Sequence, residues 1–126
     1  MSIIGIGMDA TDLPRIADVL ERYGDRFLRR VFTAGEIAYC TRRRDPVPHL
    51  AGRFAVKEAA MKALGTGVSR GVVWKDVEVV RRGGPPQLQL HGAAAERARS
   101  MGVRRTLVTI THAETVALAQ VMLLGD

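Results

Sequence analysis

The sequence has one cysteine, Cys40, in 126 residues, which excludes an internal disulfide and fits a reducing compartment. Aromatic side chains are scarce as well: three phenylalanines, two tyrosines and one tryptophan. They offer few platforms for stacking bases, and no nucleic-acid motif is present, which counts against a nucleic-acid partner. No apolar run is long enough to span a membrane, and the N-terminus lacks the basic-then-apolar layout of a signal peptide. The expectation is a cytoplasmic protein with no membrane partner. Acidic residues are outnumbered 13 to 19 by lysine and arginine, leaving a net charge of +6. Such a balance favours an anionic partner, whether nucleic acid, phosphate-bearing ligand or acidic protein, without choosing among them. Repeats, low-complexity tracts and linkers are also missing. With 47% hydrophobic and 25% charged residues, the length suits one domain over 1–126 with a real core.

The stretch LAGRFAVKEAAMKALGTG, residues 50–67, is what the rest is organised around. Strong helix formers run from Leu50 to Leu64, and Gly65 with Gly67 supplies a stop. Its apolar side chains cover nearly the whole circumference, the pattern of a helix buried by its neighbours. Arg53, Lys57, Glu58 and Lys62 nevertheless lie within it. Burying an ionised group without a partner costs several kcal/mol, so something charged must stand beside this helix. Glu58 and Lys62 are four apart on one face, and Arg53 and Lys57 are a like-charged pair four apart. Two readings stand: a solvated charged face, or an anion or metal site.

Around this helix, residues 2–9 read as a buried strand with Ile4, Ile6 and Met8 on one side. Gly5, Gly7 and Asp9 lie on the other, where the glycines admit a close backbone or ligand. Asp9 stands at the strand's exit as either a metal ligand or base, or a carboxylate starting the next helix. That helix begins near Asp12, tolerates Pro14 in its first turn and runs at least to Tyr23. If it continues through Gly24, then Arg15, Arg22, Arg26 and Arg29 share one arc, either solvated or docked on an acidic partner. A short helix over 31–40 starts at Thr33, with Glu36 three residues on. Arg42, Arg43, Arg44, Asp45, Pro46 and Pro48 read as a loop, with His49 just before the central helix. Strands are expected over 76–81 and 87–91 about a Gly-Gly-Pro-Pro turn, then a helix over 93–101, then strands over 105–111 and 116–123. His112 sits at the tip of that last hairpin, where ligand-binding groups are often found. The order is β-α-α-α-β-β-α-β-β, an α+β fold with a largely antiparallel sheet.

Four segments, GIGMDATDLPRI (5–16), LAGRFAVKEAAMKALGTG (50–67), GGPPQLQLHG (83–92) and VTITHAETVALAQV (108–121), together resemble the holo-[acyl-carrier-protein] synthase family. These are the small, single-repeat members of the 4′-phosphopantetheinyl transferase superfamily, and the likeness covers essentially the full length. It implies that superfamily's fold, with the central helix at about 50–64. It also implies transfer of the phosphopantetheine arm of coenzyme A to a serine of an apo acyl carrier protein, releasing adenosine 3′,5′-bisphosphate, in fatty acid biosynthesis.

By the same resemblance, Asp9 and Glu58 match metal-binding carboxylates for Mg²⁺, and Glu58 or a metal-held water would take the serine proton. Lys57 and Lys62 match phosphate-holding lysines, and Lys62 also stabilises charge during transfer. Arg53 is the contact to the nucleotide's extra phosphate. Gly65 and Gly67 let backbone approach the nucleotide, and Pro86 stands in a turn that contacts it. His112 reaches the coenzyme from a neighbouring subunit of a homotrimer with sites at its interfaces. Arg15, Arg22 and Arg26 match the docking face for the acidic carrier protein. Ala10, Val56, Pro85 and Ala113 depart from the family's usual residues, and none is a metal ligand. The residues alone also allow a basic binding module or a metal-dependent phosphohydrolase using Asp9 and Glu58.

Overall fold

The computed structural model describes residues 1–126. Its first strand, β1, spans Ser2–Asp12 and is longer than expected, so Asp9 lies within it and not at its exit. Cross-strand pairing causes the extension: Thr11 and Asp12 pair with Ala117 and Val116 of the last strand, out of reach of any local pattern. Four helices follow: α1 (Leu13–Tyr23), α2 (Asp25–Val31), α3 (Ala34–Thr41) and α4 (Pro46–Leu64). Next come the hairpin β2 (Val77–Val80) and β3 (Gln87–Leu90), the helix α5 (Gly92–Met101), and the hairpin β4 (Arg105–His112) and β5 (Val116–Gly125).

The sequence leads to one more helix boundary than expected. Gly24 takes φ 50° and ψ −126°, which ends α1 and starts α2. The arginine arc is thereby divided, with Arg15 and Arg22 on α1, and Arg26 and Arg29 on α2. Helix α3 begins as expected, with Thr33 and Glu36 forming a reciprocal capping box. Helix α4 starts four residues before the expected boundary, so His49 is inside it. Asp45 caps it by accepting from the Val47 N–H, and Pro46 opens it. Prolines read as loop residues are accommodated here because the first-turn N–H groups have no helical partner to lose.

Strands β1, β5 and β4 make an antiparallel sheet in that order, and β2 and β3 a separate two-stranded one. Helix α4 lies across the inner face of the larger sheet. Ala117, Ala119, Val121 and Leu123 of β5 point at it and are buried. The approach to β1 is close enough to exclude side chains: a Cβ on Gly5 would stand 2.6 Å from the Ala63 carbonyl oxygen, and one on Gly7 nearer still to that of Ala59. One core gathers between α4, the sheet, the β2–β3 hairpin and α5; a second lies between α4 and the first three helices. Thirteen of the nineteen α4 residues are buried, as its all-round apolar pattern requires.

The outer face of the sheet is different. Its rows run Ile6–Met122–Leu107, Met8–Gln120–Thr109 and Ala10–Leu118–Thr111. Ile6, Met8, Leu107 and Leu118 are exposed there, Met8 at 58%. The strand expected to be buried is therefore buried on its glycine face alone. No helix is long and apolar enough to cross a membrane.

Candidate active site

Between Leu50 and Leu64, α4 opens to solvent only at Glu58 and Lys62. The i,i+4 spacing puts both on one face, and that face meets the inward side of β1, which carries Asp9. Lys62 Nζ donates to Asp9 Oδ1 at 2.9 Å and to the Met8 carbonyl at 3.1 Å. Thr11, two residues along the strand and 2% exposed, donates from Oγ1 to Asp9 Oδ2 at 3.2 Å. Both Asp9 oxygens are thus oriented by the protein.

Glu58 adjoins Asp9 closely enough for the two carboxyl groups to perturb each other. Burial raises the Glu58 pKa above its ordinary value, and the Asp9 charge and a carboxyl–carboxyl hydrogen bond add to this. Arg15 on α1 and Lys62 act in the opposite direction. Lys62 is held above the usual lysine value by its hydrogen bond to Asp9 and by that carboxylate's charge. Two carboxylates pressed together in this way repel each other when both are ionised, which favours a cation shared between them. Hard oxygen donors in adjacent positions fit a divalent cation of the Mg²⁺ class, which takes few protein ligands. Nowhere do three His, Cys, Asp or Glu side chains gather, so a cation here would draw its other ligands from substrate and water.

A second group forms where α3, the first turns of α4 and the end of β4 converge. Arg53 is 4% exposed, and its guanidinium lies 4.1 Å over the Tyr39 ring. It donates to the His49 carbonyl at a long 3.4 Å, its Nε has no partner, and no carboxylate pairs with it. His112 stands with its ring centroid 6.4 Å from that of His49. Burial, then Arg53, Arg43 and His112, depress the His49 pKa and leave that ring neutral at pH 7.

Lys57 is the correction. Expected among the phosphate contacts, it is 0% exposed and forms a 2.7 Å ion pair with Glu36. Its remaining donors go to the carbonyl oxygens of Trp74, at 3.2 Å, and Val77. Glu36 is equally saturated, accepting also from the Thr33 and Val79 N–H groups at 2.9 Å each. Burial lowers the Lys57 pKa against the opposing pull of Glu36. A lysine enclosed on all sides cannot reach a ligand, and this one ties α3, α4 and β2 together.

Gly65 and Gly67 lie on the turn that ends α4, at φ 74° and 55°. Pro86 lines a hollow that β3 shares with Arg105–Val108 of β4. Arg22 pairs loosely with Asp18 at 3.9 Å, and Arg26 lines an apolar hollow with Val19, Tyr23 and Phe27. The sequence reading missed Thr11, Tyr39 and the pairing role of Glu36. The period-2 spacing from Asp9 signals Thr11, and the i,i+4 spacing to Arg43 signals Tyr39. Nothing local signals Glu36, whose partner is twenty-one residues away.

The sequence model of the 4′-phosphopantetheinyl transferase superfamily matches residues 5–119. A holo-[acyl-carrier-protein] synthase of Koribacter versatilis is 48% identical over 122 residues, spanning 96% of this chain and 98% of its own. Among solved structures, the chain is similar to the holo-[acyl-carrier-protein] synthase of Neisseria meningitidis, with TM-score 0.89, 31% identity and coverage of 98% and 99%. It is also similar to the Helicobacter pylori synthase solved in complex with coenzyme A, with TM-score 0.83, 28% identity and coverage of 94% and 99%.

Proposed function

The chain belongs to the 4′-phosphopantetheinyl transferase superfamily, and from that premise we propose that Asp9, Glu58 and Lys62 form the transfer site of a holo-[acyl-carrier-protein] synthase. The reaction moves the 4′-phosphopantetheine of coenzyme A to a serine of an apo acyl carrier protein, in lipid biosynthesis. The serine oxygen bonds to the phosphorus nearer the pantetheine arm. The bond to the nucleotide's phosphate breaks, and adenosine 3′,5′-bisphosphate leaves. The observation that carries this reading is that between Leu50 and Leu64 the buried helix opens only at Glu58 and Lys62, against Asp9.

Mg²⁺ held by Asp9 and Glu58 would supply charge neutralisation at the diphosphate. Support comes from the raised proton affinity of Glu58 beside Asp9. Thr11 and Lys62 orient the Asp9 carboxylate. The Lys62 side chain is 57% exposed, so its ammonium can turn from Asp9 to a phosphate oxygen and stabilise charge in the transition state. Arg53 is assigned to the nucleotide's extra phosphate, His112 to the coenzyme of a neighbouring subunit, and the turn at Gly65 and Gly67 to backbone approach. Lys57 is left out of this set because it is enclosed.

Arg15, Arg22 and Arg26 offer positive charge to an acidic carrier protein. The exposed apolar rows of the sheet support a homotrimer with sites at its interfaces, because a monomer seldom leaves such a patch uncovered. Sedimentation equilibrium reports that state directly. Residues 1–126 act as one domain in this reading, in the cytoplasm. The test is mass spectrometry of an apo carrier protein incubated with coenzyme A, Mg²⁺ and this chain. The carrier should gain the mass of phosphopantetheine; an unchanged mass with the organism's own carrier proteins would overturn the assignment.

A further inference from the structure

We propose that Asp9 Oδ1 is one seat taken in turn by the Lys62 ammonium and by the divalent cation, and that Thr11 is the positioning residue that keeps this oxygen turned towards both. The Asp9 side chain is 10% exposed and that of Lys62 57%, so the carboxylate is the fixed member of the pair and the lysine the movable one. Thr11, 2% exposed, does the fixing: its hydroxyl donates to Oδ2 at 3.2 Å and leaves Oδ1 for Lys62 Nζ at 2.9 Å. Glu58 lies one turn before Lys62 on the same face of α4. A cation shared by Asp9 and Glu58 therefore meets Asp9 on the side that the ammonium occupies.

An ammonium and a divalent cation on one carboxylate oxygen repel at close range. No third carboxylate, histidine or cysteine joins Asp9 and Glu58 to screen them from each other. The lysine is the one that can leave. Away from Oδ1 its remaining acceptor is the neutral Met8 carbonyl, at 3.1 Å, a weaker hold than a carboxylate. Its amine is then free for a phosphate oxygen, so cation loading comes first and arms Lys62 for the substrate. The contact between Lys62 and Asp9 is a catch that the cation releases.

This inference rests on the proposed transferase reading, which supplies the cation and the phosphate, yet it is tested with metal alone. Mn²⁺, which takes the same hard oxygen donors as Mg²⁺, is titrated into the protein without substrate, and its Kd is read by electron paramagnetic resonance. Lys62→Met should bind Mn²⁺ about tenfold more tightly than the wild type, because no charge-assisted hydrogen bond has to be given up first. Lys62→Arg keeps the competing charge and should bind no more tightly than the wild type. Thr11→Val frees the carboxylate to rotate and should weaken Mn²⁺ about tenfold, whereas Thr11→Ser should restore it. Mg²⁺ should also quicken acetylation of the Lys62 amine, followed by peptide mass, with the exposed Lys75 as the internal reference. Equal Mn²⁺ affinity in Lys62→Met and the wild type, or Lys62 acetylation indifferent to Mg²⁺, would overturn the exchange; Thr11→Val binding as the wild type does would remove Thr11 from it. If the wild-type chain transfers nothing, the transferase reading fails, and the Mn²⁺ and acetylation results still decide the exchange.

Discussion

Lys57 and Lys62 stand five residues apart on one helix, and each ends on a carboxylate, at 2.7 and 2.9 Å. The first pair is enclosed completely, with every donor and acceptor met; the second has a lysine side chain 57% exposed beside a second carboxylate. The distances are alike, so distance does not separate a strut from a site. Saturation and surroundings do. A buried pair with all its hydrogen bonds made has nothing left to offer a ligand, and removing one member strands a charge in low dielectric. A pair at a solvent opening, next to a carboxylate that resists ionisation, keeps both the access and the unmet charge that binding requires.

The contrast can be broken by mutation. Lys57→Ala should cost about 3–5 kcal/mol of stability, the range for orphaning one member of a buried pair. Urea denaturation reads this, and a loss below about 1 kcal/mol would put Lys57 in the same class as Lys62. Lys62→Ala should do the reverse: the rate of phosphopantetheine transfer falls about a hundredfold, while the urea midpoint stays where it was. A parallel fall in both would erase the distinction.

Charge further from the carboxylates sharpens it. Arg15 already acts on Glu58, so its replacement would affect metal and carrier protein together. Arg26 sits on α2 beside the hollow lined by Val19, Tyr23 and Phe27. Arg26→Glu should raise KM for the carrier protein about tenfold and leave KM for coenzyme A unchanged. Equal rises would remove α2 from the docking face.

The smallest effect is on pH. The folded state holds the Glu58 proton more tightly than the unfolded chain does, so above the unfolded value of about 4.3 the native state binds more protons. Stability of the metal-free protein should therefore fall as pH rises through the unfolded and then the folded value of this group. The total change should amount to less than about 1 kcal/mol, because a partly exposed carboxylate is screened. Glu58→Gln or added Mg²⁺ should remove it; a slope that survives both would point to another group.

Much of this was legible before any coordinates. The capping box at Thr33 and Glu36, the turn at Gly83–Pro86 and the stop at Gly65 are local devices, and local chemistry placed them. Pro46 and Pro48 misled because a proline excludes the helix interior but not its first turn. Thr11 and Asp12 were left outside β1 because their strand partners lie about a hundred residues away. Lys57 was misplaced for the same kind of reason: its motif neighbours Glu58 and Lys62 face β1, whereas its own partner comes from α3.

The sequence by itself determined which helix is buried all round, that charges within it need partners, and that Asp9 and Glu58 belong together by family likeness. Periodicity and motif spacing are properties of the chain and can be read along it. Only the tertiary structure decided which charge was sealed and which was left open. Whether an ionised group is desolvated and satisfied depends on what other segments bring to it, and a sequence pattern does not record that.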